Sequence, residues 1–299
     1  MDVKKIKVRS QDRYEWKRRT VGEKTVHIIA CIILGIFAAS YVIAFLWGVL
    51  SGAKSHRGVV VYPFEFPGPD PWQWTNYIEV FSKLEVRGVG FIGMVSNTLL
   101  MVAASPLLSL GGTAMFAYVM TKYKFPFRNA LFVVNTIVIT LPIIGTTAAN
   151  YRLCSSLGMI DSPLFLISSI SAFGSNFLYM SACFKGVSTA YMEAARIDGA
   201  GHWRTFLNVM MPQAMGMFSA LWILQIIGVW NDSGTSLLYW PNMPTLATGI
   251  YLFSVETTYD VRTDILIAGT IVSAIPPFIV FCFFHKKLLT NVTFGGLKG

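Results

Sequence analysis

Between residues 188 and 212 the chain reads Ser188-Thr189-Ala190-Tyr191-Met192-Glu193-Ala194-Ala195-Arg196-Ile197-Asp198-Gly199-Ala200-Gly201-His202-Trp203-Arg204 and runs on to Met211-Pro212. These residue types suit association rather than bond-making. Glu193 and Arg196 are free for charged pairing at the edge of a helix. Ala190, Ala194 and Ile197 fall at i, i+4 and i+7 and give a small apolar stripe. The adjacent Ala194 and Ala195 would let a second surface come close to the backbone. Ser188 and Thr189 are natural N-caps, Tyr191 to Asp198 holds good helix formers, and Gly199 or Gly201 can end the helix left-handed. A second helix then starts near His202 and continues past Pro212. The spacing predicts a short helix–turn–helix that could dock a soluble partner; an ordinary surface helix is the plainer alternative.

Other chemistry is thin. Gly88-Val89-Gly90-Phe91-Ile92-Gly93 matches GxGxxG, but it precedes an apolar run and follows no strand of a βαβ unit, so it reads as a flexible helix entry. There is no GxxxxGK[ST], so the chain cannot by itself be an ATPase, and neither HExxH nor GxSxG occurs. The apolar runs hold almost no ionisable residues, which argues against a membrane enzyme or a proton-driven carrier. Asn150, Tyr151, Asn176, Gln225, Asn231 and Asp232 are polar groups in or near those runs. They could line a pathway for a polar molecule or make hydrogen bonds that hold helices together. Cys31, Cys154, Cys183 and Cys282 show no CxxC spacing and read as inert, buried thiols. Asn291-Val292-Thr293 fits a glycosylation acceptor, a use that its expected cytoplasmic side removes.

The elements that must hold these residues are membrane spans. Hydrophobic residues make up 54% of the 299 and charged residues 13%, about half the usual charged share of a soluble domain. A surface so poor in charge must face lipid or other apolar protein. Six apolar segments, near 26–50, 92–120, 129–149, 163–184, 213–231 and 264–284, are each long enough to cross a core that takes roughly 20 helical residues. The fold class expected is therefore all-α integral membrane with six transmembrane helices. The first segment exceeds a signal h-region and reads as a retained anchor.

Charge placement gives the orientation. Of the 24 Lys and Arg residues, nine precede residue 28, and alternate loops carry eighteen on one side against six on the other. The richer side, with both termini, is expected in the cytoplasm. The net charge of +9 thus belongs to basic loops, and no aromatic-interleaved groove for nucleic acid is seen. Pro63, Pro67, Pro69 and Pro71 exclude one long helix from the outer stretch 51–91, whose Trp72, Trp74 and Tyr77 suit the lipid headgroup level. A second outer loop, 232–263, carries Pro241, Pro244, Asp232, Glu256 and Asp260. The chain divides into a basic N-terminal segment 1–27, a first span with outer loop 28–91, a core of five spans 92–285 and a tail 286–299.

At the docking loop the sequence resembles the permease subunits of binding-protein-dependent ABC importers. Their EAA loop runs Glu-Ala-Ala, three residues, Gly, nine residues, then apolar-x-apolar-Pro. Here Glu193-Ala194-Ala195 is followed by Gly199, nine residues, and Val209, Met211 and Pro212. Ala172-Phe173-Gly174, Trp230-Asn231-Asp232, Thr245-Leu246 with Gly249, and the ending Gly295-Gly296-Leu297-Lys298-Gly299 are similar to the carbohydrate-uptake branch, in particular its maltose-permease-like second subunit. The resemblance covers residue 40 to the end, and the tail departs from the usual Gly-Ala-Val-Lys-Gly.

What the resemblance implies is the type I ABC importer permease architecture in a bacterial inner membrane. An extracellular solute-binding protein would deliver a sugar to this chain and a second permease subunit. Two cytoplasmic ATPase subunits, which use ATP and Mg, would dock on the coupling loops, with Glu193, Ala194, Ala195, Arg196, Asp198, Gly199 and Pro212 as the coupling residues. This chain would itself be non-catalytic and bind no cofactor. A non-sugar cargo (an amino acid, a peptide, a polyamine) and a membrane scaffold or sensor are the competing readings.

Overall fold

A computed structural model of the chain describes residues 20–66, 68–141, 145–256 and 262–293, with side chains to His285. Most of the basic N-terminal segment, Pro67, Asp260 and the ending Gly295–Gly299 lie outside the described residues, as do the side chains of the tail that starts at Lys286.

The described chain is mostly helical. Its elements are α1 (Val21–Gly52), α2 (His56–Val61), α3 (Asn76–Lys83), β1 (Glu85–Val86), β2 (Val89–Gly90), α4 (Phe91–Lys122), α5 (Arg128–Thr140) and α6 (Thr146–Ser156). A 3-10 turn (Pro163–Ser169) precedes α7 (Ser175–Gly186), α8 (Ala190–Ile197) and α9 (His202–Thr205). A π-helical turn (Phe206–Met210) then joins α9 to α10 (Met211–Trp230), followed by α11 (Gly234–Tyr239), α12 (Leu246–Glu256) and α13 (Thr263–Thr293).

Four stretches, Val21–Gly52, Phe91–Lys122, His202–Trp230 and Thr263–His285, are long and apolar enough to cross a membrane. They fall on the first, second, fifth and sixth predicted spans. A capping box starts α1: the Thr20 N–H donates to Glu23 Oε2 (2.7 Å) and the Glu23 N–H to Thr20 Oγ1 (3.4 Å). From Thr25 to Leu46 every side chain of α1 is exposed, which for an apolar helix means a lipid environment. Contact with the bundle begins at Gly48. A Cβ there would come within 2.9 Å of Ile271 Cδ1, and one at Gly52 within 3.2 Å of the Ala268 backbone, so these glycines let α1 close on α13.

The third and fourth predicted spans are not continuous helices. α5 stops at Thr140, because Leu141 precedes Pro142 and takes an extended backbone (φ −85°, ψ 122°). The chain becomes helical again at Thr146, after Gly145 at φ +94°. The fourth begins as a 3-10 turn with a proline in its first turn, passes through non-helical 170–174, and becomes α-helical at Ser175 after Gly174 at φ +120°. Side chains satisfy this irregular stretch: Thr113 Oγ1 donates to the Ser171 carbonyl (2.9 Å), Ser171 Oγ to that of Phe173 (2.9 Å), and Asn135 Oδ1 accepts from the Gly174 N–H (2.7 Å). Gly112 makes room for it, since a Cβ there would sit 3.1 Å from the Ser171 carbonyl oxygen.

Two expected loops hold order of their own. The glycine-rich run read as a flexible helix entry is a hairpin, with Val86 opposite Val89 and Arg87 and Gly88 both at positive φ (54° and 77°). Two consecutive positive φ values suit the right-handed strand twist, and glycine supplies one without strain. The stretch 232–263, expected as an outer loop, contains α11 and α12. Pro241 and Pro244 read as loop signals but stand just ahead of α12, where the Leu246 N–H donates to Thr98 Oγ1 (2.8 Å) and Asn97 Nδ2 to the Pro244 carbonyl (3.1 Å).

The contact of α12 with α4 is tight. A Cβ on Gly249 would lie 1.9 Å from Met94 Sδ, and Met94 is fully buried. Helix propensity favours Gly249→Ala by about 1 kcal/mol, whereas overpacking costs about 1–3 kcal/mol. Gly249→Ala is therefore expected to lower the unfolding midpoint in detergent, and a raised midpoint would mean that the two helices do not touch there.

One apolar cluster centres on Leu110, Phe177, Met180, Phe184 and Met210, between α4, α7 and α10; another centres on Leu84, Met94, Leu246 and Ile265, between α3, α4, α12 and α13. At the start of α13, Arg262 forks onto the fully buried Asp264 carboxylate (Nε–Oδ1 3.0 Å, Nη2–Oδ2 2.7 Å) and also approaches Glu79 Oε2 (3.7 Å). Of the four cysteines only Cys154 is buried; Cys31 and Cys282 are exposed on long apolar helices, so the expectation of buried thiols is corrected for those two. No group of three His, Cys, Asp or Glu able to hold a metal ion occurs among the described residues.

Candidate functional site

The loop at 188–212 folds as a helix, a left-handed turn and a second helix. Ser188 Oγ accepts from the Ala190 N–H (3.2 Å) and starts α8, while Thr189 caps through its carbonyl, which takes the Met192 and Glu193 N–H groups. At the other end the Ala200 N–H returns to the Ala195 carbonyl (2.9 Å) and the Gly199 N–H to that of Arg196 (3.0 Å), with Gly199 at φ +77°. That pair of bonds is a Schellman closure, and it requires the left-handed residue that glycine provides. Of the two glycines considered from the sequence, Gly199 makes the turn.

Burial divides the helix into two faces. Met192 and Ala195 are buried against the bundle, with Tyr118 Oη reaching Met192 Sδ (3.5 Å). Ala190, Glu193, Ala194 and Ile197 face outward, and Ile197 is 87% exposed. The apolar stripe read from the sequence is thus an unburied face on a helix anchored from behind. Glu193 has no ion-pair partner among the described residues. Arg196, expected to be free at the edge, lies 5.7 Å from the centre of the Tyr123 ring, and Tyr123 Oη meets His202 Nδ1 at 2.7 Å. A cation over an aromatic face is partly held there. Tyr123 thus ties α8 and α9 to the end of α4.

Asp198 follows α8 and stays exposed, with its N–H on the Ala194 carbonyl (3.0 Å). Pro212 sits in the first turn of α10, immediately after the π-helical turn. A π turn inside a helix loosens the hydrogen-bond ladder, which accommodates a residue with no N–H.

A polar cleft opens between α4, α6, the 3-10 turn, α10 and α11, in two lobes of about 420 and 590 Å³ that share Phe165, Ser169, Asp232 and Thr235. Of the six polar residues singled out from the sequence, Gln225, Asn150 and Asp232 line it. Asn150 Nδ2 donates to Tyr239 Oη (3.1 Å), and Tyr151 packs behind on the Tyr239 ring at 5.9 Å. Asn231 turns back onto its own helix, donating to the Ile227 carbonyl (2.8 Å), and Asn176 on α7 is not among the lining residues.

Most of the lining was not singled out from the sequence. It carries seven Ser and Thr hydroxyls beside apolar Met101, Phe165, Val229 and Leu238: Ser105 and Ser109 of α4, Thr146 and Thr147 of α6, Ser168 and Ser169 of the 3-10 turn, and Thr235. Ser105 Oγ donates to Ser169 Oγ (3.0 Å), which joins α4 to the 3-10 turn in the cleft wall. The i, i+4 spacing of Ser105 and Ser109 on an apolar helix was the available signal. Asp232 Oδ1 accepts from the N–H groups of Gly234 (2.9 Å) and Thr235 (3.1 Å), and Oδ2 accepts from Thr235 Oγ1. Such a surface can exchange hydrogen bonds with a polyhydroxylated ligand.

A family model described as binding-protein-dependent transport system inner membrane component matches residues 109–291. The chain is 27% identical over 278 residues to the diacetylchitobiose uptake system permease protein of Streptomyces coelicolor, a match that covers 90% of this chain and 88% of the relative. It is 27% identical over 286 residues to the maltodextrin transport system permease protein of Bacillus subtilis, covering 93% and 100%. In fold it is similar to a chain from the crystal structure of a bacterial ABC transporter involved in the import of the acidic polysaccharide alginate, with a TM-score of 0.73 and 20% identity over 90% of this chain and 98% of that one.

Proposed function

The chain belongs to the family of binding-protein-dependent transport system inner membrane components, and from that membership we propose that it is one permease subunit of an ATP-driven importer of a sugar or oligosaccharide. The observation that carries the mechanism is α8, a helix closed at both ends, anchored by Met192 and Ala195, with Glu193, Ala194 and Ile197 facing away from the bundle. This face receives a separate cytoplasmic ATPase. Glu193 pairs with a basic residue of that subunit, and Ala194 lets it approach closely.

Motion of the docked ATPases reaches the spans along two physical routes. One is covalent: α8, the Gly199 turn, α9 and the π turn lead directly into α10. The other is the contact of Arg196 and His202 with Tyr123 at the end of α4. Both α4 and α10 line the cleft, so tilting them together widens or narrows it, a rigid-body switch of packed helices. ATP and Mg are used by the ATPase, and this chain contributes no catalytic group.

The cleft is this subunit's half of the sugar pathway, completed by a second permease subunit and fed by an extracellular binding protein. Six membrane crossings follow if α5 with α6, and the 3-10 turn with α7, each make one broken crossing. The excess of Lys and Arg on one set of loops supports both termini and α8 on the cytoplasmic side of the inner membrane.

The test is ATP-dependent uptake by the complete importer in proteoliposomes with its binding protein. Ser169→Phe places a ring between the two lobes and is expected to reduce sugar uptake more than tenfold while the ATPase subunits still copurify. Unchanged uptake would remove the cleft from the pathway. Copurification of this chain without any ATPase subunit would favour the scaffold reading.

A further inference from the structure

The charge of the cleft lining narrows the cargo. Among the described residues that line its two lobes, Asp232 is the single one with a formal charge; the rest are hydroxyl, amide, aromatic or aliphatic. Asp232 is half-buried in the region common to both lobes, so a molecule moving from one to the other passes it. Its Oδ2 accepts one hydrogen bond, from Thr235 Oγ1, and keeps a lone pair for a further donor.

A neutral sugar supplies that donor with any hydroxyl. A uronate instead brings a second carboxylate, which has no proton to share. Two like charges about 5 Å apart at the effective dielectric of a protein surface disfavour binding by roughly a hundredfold, less where water and salt screen them. No lysine or arginine among the described lining residues offsets this repulsion.

We propose that the cleft of this subunit selects uncharged sugars and turns away acidic ones, with Asp232 as the specificity-determining residue. The proposal rests on the reading of the cleft as sugar pathway.

The test is ligand-observed NMR on the complete permease–ATPase complex in detergent, without the binding protein, so that this protein's own selectivity does not filter the ligands. The probes are maltotriose, diacetylchitobiose and arabinotriose on one arm and trigalacturonate on the other. At least one neutral probe is expected to bind at least tenfold more tightly than trigalacturonate. Asp232→Asn, which keeps an acceptor for the Gly234 and Thr235 N–H groups, is expected to narrow the gap at least threefold. Gln225→Lys puts a cation into the same lining and supplies a second variant; it is expected to raise trigalacturonate binding.

Trigalacturonate binding as tight as the best neutral probe, or a gap that both variants leave unchanged, overturns the charge rule and leaves the pathway reading standing. Binding of no probe, with uptake insensitive to Ser169→Phe, overturns the pathway reading and the charge rule with it.

Discussion

Gly199→Val and Glu193→Lys are each expected to reduce sugar-stimulated ATP hydrolysis and uptake by the reconstituted importer about a hundredfold, for different reasons. Gly199 holds φ +77° in open space, with no atom within 4 Å of where a Cβ would stand, so the cost of valine there is entirely one of backbone conformation. For a β-branched residue that cost is about 1–2 kcal/mol or more. Relieving it breaks the bonds from Ala200 to Ala195 and from Gly199 to Arg196, and the outward face of α8 loses its fixed angle. Asparagine tolerates the left-handed region better, so Gly199→Asn should retain more activity than Gly199→Val.

Glu193 is exposed and has no ion-pair partner among the described residues, so reversing its charge should leave the thermal midpoint of the permease unchanged. The loss appears at the interface, where like charges brought together cost several kcal/mol. Copurified ATPase and stimulated hydrolysis should fall together, while the isolated ATPase keeps its basal rate. Full stimulation in either variant would remove α8 from the coupling path.

The second large effect is on stability. Arg262→Met is expected to cost about 2–4 kcal/mol, because the fully buried Asp264 carboxylate loses both arms of its fork. The figure is kept at the lower end because the Arg262 side chain is 38% exposed and its charge partly solvated. The unfolding midpoint in detergent should fall by roughly 5–10 °C. Arg262→Met combined with Asp264→Leu should recover most of that, since the uncompensated charge is then gone. A double variant no better than the single one would show that the arginine stabilises by packing alone.

The long uninterrupted spans were legible in the sequence because an apolar run of more than twenty residues has few other places to go. The loop at 188–212 was legible because its caps, its glycine and its proline act locally, through bonds between residues a few positions apart. The broken third and fourth crossings were hidden. An apolar composition says that a segment is buried or in lipid, but it does not say whether the backbone stays helical. Pro142 and Gly174 were the signals, and they were outweighed by the run of hydrophobic residues around them.

The cleft was half hidden for a related reason. Asn150, Gln225 and Asp232 stand out in apolar surroundings. Serines such as Ser105 and Ser169 are frequent in membrane helices and acquire meaning only when the fold brings them together, 64 residues apart in sequence and hydrogen-bonded at 3.0 Å in space. The contact of Arg196 with Tyr123 was hidden in the same way, because the two are remote along the chain.

The irregular backbone beside the cleft has a consequence for solvent. Peptide groups outside regular structure are tolerated at membrane depth where protein or a water-filled space receives them. Side chains of Thr113, Ser171 and Asn135 meet part of that need at 170–174. α6, in contrast, starts at Thr146 and Thr147 on the cleft wall with no side chain capping its first turn. The first N–H groups of a helix have no partner within it, and at the cleft wall water can receive them. On the proposed reading of the cleft as sugar pathway, the passage is hydrated before any cargo arrives, and a sugar entering it exchanges one set of hydrogen-bond partners for another without being stripped of them.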